Sequence, residues 1–350
     1  MIKVYAQTKI YIYAPENVVT GGAELLHQLA DVLNNNRLDA YIVYINLERN
    51  VISENQIIPY EYKKYSVKTS IDIEDSPLNI VVFYEGIFHK IGDVKNAQHI
   101  LWWLSVDNFF FCASDYLSIR DCISWNFLFG VTQLFRRLVR PIRFRRIFHG
   151  TVSLKKLREL EALHCYQSEY AQHFLLNNKF DALLPLSDFI NTDFYESDFC
   201  INRSDKILYN PKKGMNYTKK IMSKLPEYEW TPLINMTRSQ LLNEFRTGKL
   251  YIDFGYHPGK DRIPREAAIA GCCVVTNKKG SAQFFEDVPI GNIFKCDTHK
   301  KSVDNVITLI QYVIQNYESL NPDFDFYRSQ ILNEQQKFKD QVLNIFSNTH

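Results

Sequence analysis

The strongest constraint on this chain is a repeated exchange between two periodicities. Short apolar, largely β-branched runs at Ile10–Tyr13, Tyr41–Ile45, Ile80–Tyr84 and Ile100–Leu104 are separated by polar or helix-periodic stretches. A two-residue period marks a strand and a 3.6-residue period a helix. Strands alternating with helices pair in parallel through crossovers, so an open parallel sheet covered by helices is predicted. His164 to Leu176 adds a strand and a helix. The rhythm then restarts, with strands predicted at Ile207–Tyr209, Trp230–Ile234, Leu250–Phe254 and Val274–Thr276. Helices are predicted over Asn216–Leu225, Ser239–Phe245 and Arg265–Ala270, the last ending at Gly271, a natural C-cap.

Two such series in 350 residues imply two domains. Leu184 to Asp188 reads as the closing turn of the first and Asn202 to Asp205 as a linker. The expected division is 1–188 and 205–324, with 325–350 forming a polar-apolar helix, strongest over Asp325–Phe346, that packs back on the first domain. A composition 46% hydrophobic supports sizeable cores and excludes a disordered chain. With 41 basic against 39 acidic residues, the overall charge names no partner. Seven scattered cysteines without a Cys-x-x-Cys pair argue against a disulfide scaffold or structural zinc. No apolar run approaches membrane-spanning length, and the N-terminal stretch lacks the apolar core of a signal peptide. A cytoplasmic protein is expected, with contact at the inner face of the cytoplasmic membrane left open.

That opening comes from residues 126–158, which hold nine Arg or Lys, among them Arg136, Arg137, Arg140, Arg143, Arg145 and Arg146, and no acid. Large apolar residues are interleaved, and the helix there is expected to stop near Pro141. The pattern suits an anionic bilayer surface, and equally a solvated helical excursion covering the sheet. Nucleic acid is not expected as a partner, since no nucleic-acid module accompanies it.

Three strand-end loops carry phosphate-friendly chemistry. The richest runs from Asp253 to Gly271 and contains His257, Gly259, Lys260, Arg262, Arg265 and Glu266 between a strand and a helix. Open α/β sheets bind ligands at such positions, and clustered cations with glycine N–H groups suit a diphosphate. Glu266 can accept hydrogen bonds from sugar hydroxyls. Asn277 to Ala282 adds Gly280 and Ser281, and Asn210 to Gly214 adds Lys212 and Lys213. A solvated turn has the same signature as either lysine loop alone. Gly21 and Gly22, after the first strand, fit a plain structural turn or a ligand-approach turn at a helix N-terminus.

The Gly21-Gly22-Ala23-Glu24 stretch, together with Glu266 to Thr276, resembles nucleotide-sugar glycosyltransferases of the two-Rossmann-domain, or GT-B, type. Trp102 to Asn108 and Gln167 to Tyr170 look like signatures of a branch acting in bacterial capsule or O-antigen (lipopolysaccharide) biosynthesis. The resemblance implies two Rossmann-like α/β domains facing across a cleft and a nucleotide-diphosphate sugar as donor. It implies a glycan or polyprenyl-linked glycan as acceptor, and no cofactor or obligatory metal. Carried over by position, the glycine turn falls on Gly22, the diphosphate cations on Lys213 and Arg262, and the sugar or ribose ligand on Glu266. Eight residues before Glu266, where the family commonly has a first acid, stands Pro258.

Catalysis then needs charge stabilisation on the leaving β-phosphate, assigned to Lys213 and Arg262 with Arg265, Lys260, Gly280 and Ser281 in support. Asp107 is the first candidate base for an inverting reaction and Glu85 the second, and both, with Trp103, are candidate acceptor ligands. A nucleotide-sugar epimerase of similar fold and a non-catalytic glycan-binding subunit are the alternatives.

Overall fold

A computed structural model describes residues 2–112, 114, 116–144, 152–195 and 202–347, with the backbone alone at 139–144 and 300. Arg145 and Arg146 of the basic segment, and residues 196–201 ahead of the expected linker, lie outside the described residues. The chain divides into two compact units, one of residues 1–167, 171–187 and 338–350, the other of 168–170 and 188–337.

In unit 1, β1 (Lys9–Pro15), α1 (Gly21–Asn35), β2 (Asp39–Asn46), β3 (Val51–Ile52), β4 (Lys68–Thr69), β5 (Ile80–Tyr84) and β6 (Gln98–Trp103) come first. Then follow α2 (Val106–Cys112), α3 (Ile119–Trp125), α4 (Phe127–Phe144), α5 (Leu154–Glu159), β7 (Ala162–Tyr166), α6 (Glu169–Asn177) and β8 (Leu183–Pro185). The sheet runs β3-β2-β1-β5-β6-β7-β8 with β4 beside β2, and all its pairings except β2 with β3 are parallel. Helices on its faces explain why residues 80–83 and 100–103 are all buried rather than alternating. Strand order reverses between β1 and β5, a switch point of the kind where ligands bind.

Unit 2 contains β9 (Ser204–Tyr209), α7 (Met215–Met222), β10 (Glu229–Pro232), α8 (Arg238–Thr247), β11 (Gly248–Asp253), α9 (Arg262–Ile269), β12 (Cys273–Asn277) and β13 (Lys295–Cys296). After it come α10 (Val303–Gln315), α11 (Tyr317–Leu320) and α12 (Asp325–Ile345). Its all-parallel sheet has the order β10-β9-β11-β12-β13, reversing between β9 and β11. Each unit is therefore Rossmann-like. The end of α12 belongs to unit 1, where Phe338 stacks on Trp102 at 6.3 Å.

Three boundaries differ from expectation. α4 continues through Pro141 to Phe144, since a proline can sit inside a helix at the loss of one backbone hydrogen bond. The strand β9 starts at Ser204, inside the expected linker. α9 starts at Arg262 rather than Arg265, because Asp261 takes the N-cap and Pro264 falls in the first turn, where no N–H partner is needed. Gly271 has φ 97°, the left-handed backbone expected after this helix.

Candidate functional site

The switch point of unit 2 is built from three strand-end loops that touch. The loop after β9 ends at Gly214, whose φ of 64° and close approach to Phe254 exclude a side chain: a Cβ there would lie 2.5 Å from Phe254 carbonyl atoms. Beside it, a Cβ on Gly255 would lie 2.2 Å from Lys213 Cβ. The loop after β12 locks in from the other side. Gly280, at φ 59°, would drive a Cβ to 1.9 Å from the His257 carbonyl oxygen. Ser281 donates its N–H to that oxygen at 2.9 Å and its hydroxyl to Gly259 O at 2.6 Å. Asn277 donates to Gly255 O.

At the centre lies a chain of alternating charges. Lys213 Nζ is 2.6 Å from Asp261 Oδ2, and His257 Nδ1 is 2.9 Å from the same oxygen. The other ring nitrogen of His257, Nε2, is 3.8 Å from Asp253 Oδ1. Asp253 in turn accepts from Tyr251 Oη at 3.0 Å and Gly255 N at 2.9 Å. Burial pulls the His257 pKa down, but Asp253 and Asp261 more than offset this, leaving it above the usual histidine range. For Asp261, burial pushes upward while His257 and Lys213 pull harder, leaving it below the usual carboxylate range. His257, expected at the donor, is fully buried and acts on the site through Asp261 and Lys213.

Asp253, His257 and Asp261 place possible ligand atoms within 4.8 Å of one another. The donor set does not fit a divalent ion, because the Lys213 ammonium already lies against Asp261 and both Asp253 oxygens have partners. Lys213 and His257 meet the charge of Asp261 here.

Arg265 is also placed otherwise than expected. Its side chain is fully buried, with Nη2 donating to Asp188 at 2.7 Å and Nη1 to Glu334 at 2.8 Å. It also donates to the Lys260 and Asp261 carbonyls at 2.9 and 3.2 Å, so it clamps the loop from beneath and is closed to ligand. Lys260 pairs with Glu334 at 2.7 Å. Arg262 keeps some exposure and lies 4.0 Å from Asp188, while Lys213 is the more accessible of the two cations expected at the diphosphate. Glu266, buried, falls one turn into α9 rather than in its first turn, as the earlier helix start requires. Ser281 spends both its donors on the neighbouring loop, so with Gly280 it shapes the site.

The switch point of unit 1 gathers Gly21, Gly22, Glu85 and Asp107. The two glycines lie in the first turn of α1, capped by Thr20. Neither has positive φ, and a Cβ on Gly22 would meet only Leu104 at 3.9 Å, so the backbone does not demand glycine there. Glu85 is buried and accepts the Leu104 N–H at 3.1 Å. Burial raises its pKa to about 8 despite backbone donors that favour the anion, which keeps it protonated at neutral pH. Asp107 is buried in the first turn of α2. Trp103, expected at the acceptor, is fully buried: its Nε1 donates to His164 at 3.1 Å and its ring packs on Phe88 and Phe109. Its place in the core corrects that expectation.

Sequence reasoning missed the partners, namely Asp253, Asp261, Asp188 and Glu334. The Asp253, His257, Asp261 spacing of four and four was available as a signal, whereas Asp188 and Glu334 lie 77 and 69 residues from Arg265.

Two Rossmann-like units in one chain, with a returning C-terminal helix, define the GT-B fold, and solved structures share it. Sucrose-phosphate synthase from Thermosynechococcus elongatus matches with a TM-score of 0.67 at 11% identity, covering 97% of this chain and 98% of that one. Anabaena HepE in complex with UDP-glucose matches with a TM-score of 0.59 at 11% identity, covering 97% and 100%. TarM from S. aureus, solved with UDP, gives 0.52 at 15% identity, with 79% of this chain covered. The chain spans only 56% of the length of TarM. No family model and no curated protein matches the sequence.

Proposed function

We propose that the chain is a glycosyltransferase that moves a sugar from a nucleoside-diphosphate donor to a surface glycan of the capsule or O-antigen kind, carried on a lipid. The observation that carries this reading is the meeting of three strand-end loops at the switch point of unit 2, with Lys213 partly exposed on it. Two helix N-termini, of α7 and α9, follow two of those loops and add favourable potential for a diphosphate. Solved GT-B proteins that hold UDP or UDP-glucose support the same assignment.

In this mechanism Lys213 and Arg262 neutralise charge that develops on the β-phosphate as the glycosidic bond breaks. His257 and Asp261 orient the Lys213 ammonium, so little reorganisation accompanies the reaction. Glu266 accepts from donor hydroxyls, and the open surface at Gly22 admits substrate. Glu85, protonated at neutral pH, cannot serve as a base in that form, and Asp107 takes the role if the reaction inverts.

The test is binding of UDP-, GDP-, dTDP- and CMP-sugars to the purified chain, followed by product analysis with and without acceptor glycans. One donor should bind, and binding should collapse in Arg262→Ala and Lys213→Ala proteins that remain folded. Failure of every donor to bind a folded protein would refute the reading, and acceptor-independent interconversion of the donor would replace it with epimerisation.

A further inference from the structure

The helix α4 is amphipathic in the wrong sense for a water-facing helix. Phe127, Leu128, Val131, Leu134, Phe135 and Leu138 are 67, 73, 41, 43, 69 and 64% exposed. At about 100° per residue these six positions fall within an arc of roughly 120°, a ridge about 17 Å long. The opposite side packs on the protein. Gly130 lies so close to α3 that a Cβ would sit 2.6 Å from the Ile123 backbone. Gln133 is buried, and Arg137 turns inward to donate to the Ser114 and Leu117 carbonyls at 2.5 and 2.6 Å. The fold thus spends the polar side of the helix on its own contacts and turns the apolar stripe outward. Scattered surface leucines are ordinary, whereas a continuous exposed ridge marks an interaction surface.

We infer that this ridge inserts into the interface of an anionic lipid bilayer. Charge chooses the occupant: residues 126–158 carry nine cations and no acid, so a second copy of this segment would meet it with like charge. Arg136 remains exposed beside the ridge. Among the described residues no helix is long and apolar enough to cross a membrane, so α4 lies on the surface. The inference extends the acceptor side of the proposed function by bringing unit 1 to where a lipid-carried glycan is found. It is tested separately, because lipid binding is read without sugar transfer.

The experiment is co-sedimentation of the full chain with vesicles of phosphatidylcholine, with and without phosphatidylglycerol. Binding is expected only where the anionic lipid is present, weakening as salt is raised. Phe135→Glu with Leu138→Glu should lower it about tenfold or more while leaving the thermal transition and donor binding in place. Absence of binding to the anionic vesicles, or equal binding by the double variant, overturns the inference. Two further outcomes also overturn it: tighter binding to an RNA or DNA oligonucleotide than to vesicles, or a dimer in solution that the double variant abolishes.

Discussion

Replacing Arg265 by methionine separates the support of the site from its ligand chemistry. The guanidinium is fully buried between two carboxylates that are themselves buried, Asp188 at 2.7 Å and Glu334 at 2.8 Å. Methionine keeps much of the volume and removes the charge. Lys260 still meets Glu334 at 2.7 Å, whereas the ion pair that Asp188 keeps among the described residues is the long one to Arg262, at 4.0 Å. Removing one partner of a buried pair costs about 3–5 kcal/mol, because the remaining charge stays desolvated. For a unit of this size each kcal/mol moves the melting midpoint by roughly 2–4 °C, so a fall of about 6–20 °C is expected. Differential scanning calorimetry reads it, and hydrogen exchange on α9 assigns it to unit 2. Adding Asp188→Asn and Glu334→Gln should restore much of the loss.

The pH dependence supplies a second check. In the wild type, burial pushes the Asp188 pKa up, but Arg265, Lys260 and Arg262 more than offset it, leaving it low. That stability is present above the unfolded carboxylate pKa and is lost as pH falls through the lower folded value. In the variant the folded pKa rises, so the defect should shrink as pH falls. At temperatures where the variant is folded, nucleotide-sugar affinity should be nearly unchanged, in contrast to Arg262→Ala. A loss below about 1 kcal/mol would place the pair among weak surface contacts and refute the burial argument.

Other consequences follow from the same geometry. His257 has a raised folded pKa, so its stabilisation is complete below the unfolded value of about 6.5 and is lost as pH rises through the folded value. Imidazole NMR titration should therefore show a midpoint above 6.5, and His257→Gln should flatten the alkaline limb of stability. Gly280→Ala combines a φ of 59° with a 1.9 Å approach to the His257 carbonyl. Chemical denaturation should show a loss exceeding the roughly 1–2 kcal/mol of left-handed strain alone. Glu85, with its folded pKa raised to about 8, contributes stability below the unfolded value that is lost as pH rises through the folded one. Glu85→Gln mimics the protonated acid and should remove that dependence between about pH 4 and 8, as thermal midpoints across pH will show.

Much of the architecture is local and therefore readable along the chain. Strand and helix periods, the Gly271 cap and the three glycine-bearing strand ends all reside in contiguous residues, because backbone preference and burial pattern act over a few positions. The parallel sheets follow, since strands joined through helices have few other ways to pair.

Tertiary structure decided what the charges do. Arg262 and Arg265 stand three residues apart on α9 and look alike in sequence, but a step of about 300° around the helix does not give them the same surroundings. Arg265 meets Asp188 and Glu334 beneath the loop, and Arg262 stays nearer solvent. Trp103 and His257, both attractive as ligand contacts, are sealed in the interior by residues distant in sequence. In α4 the amphipathic period was legible, but which side faces outward depended on α3 packing against Gly130 and on the carbonyls that receive Arg137. A sequence sets the chemistry and spacing of its side chains; only contacts between distant segments decide which of them reach solvent.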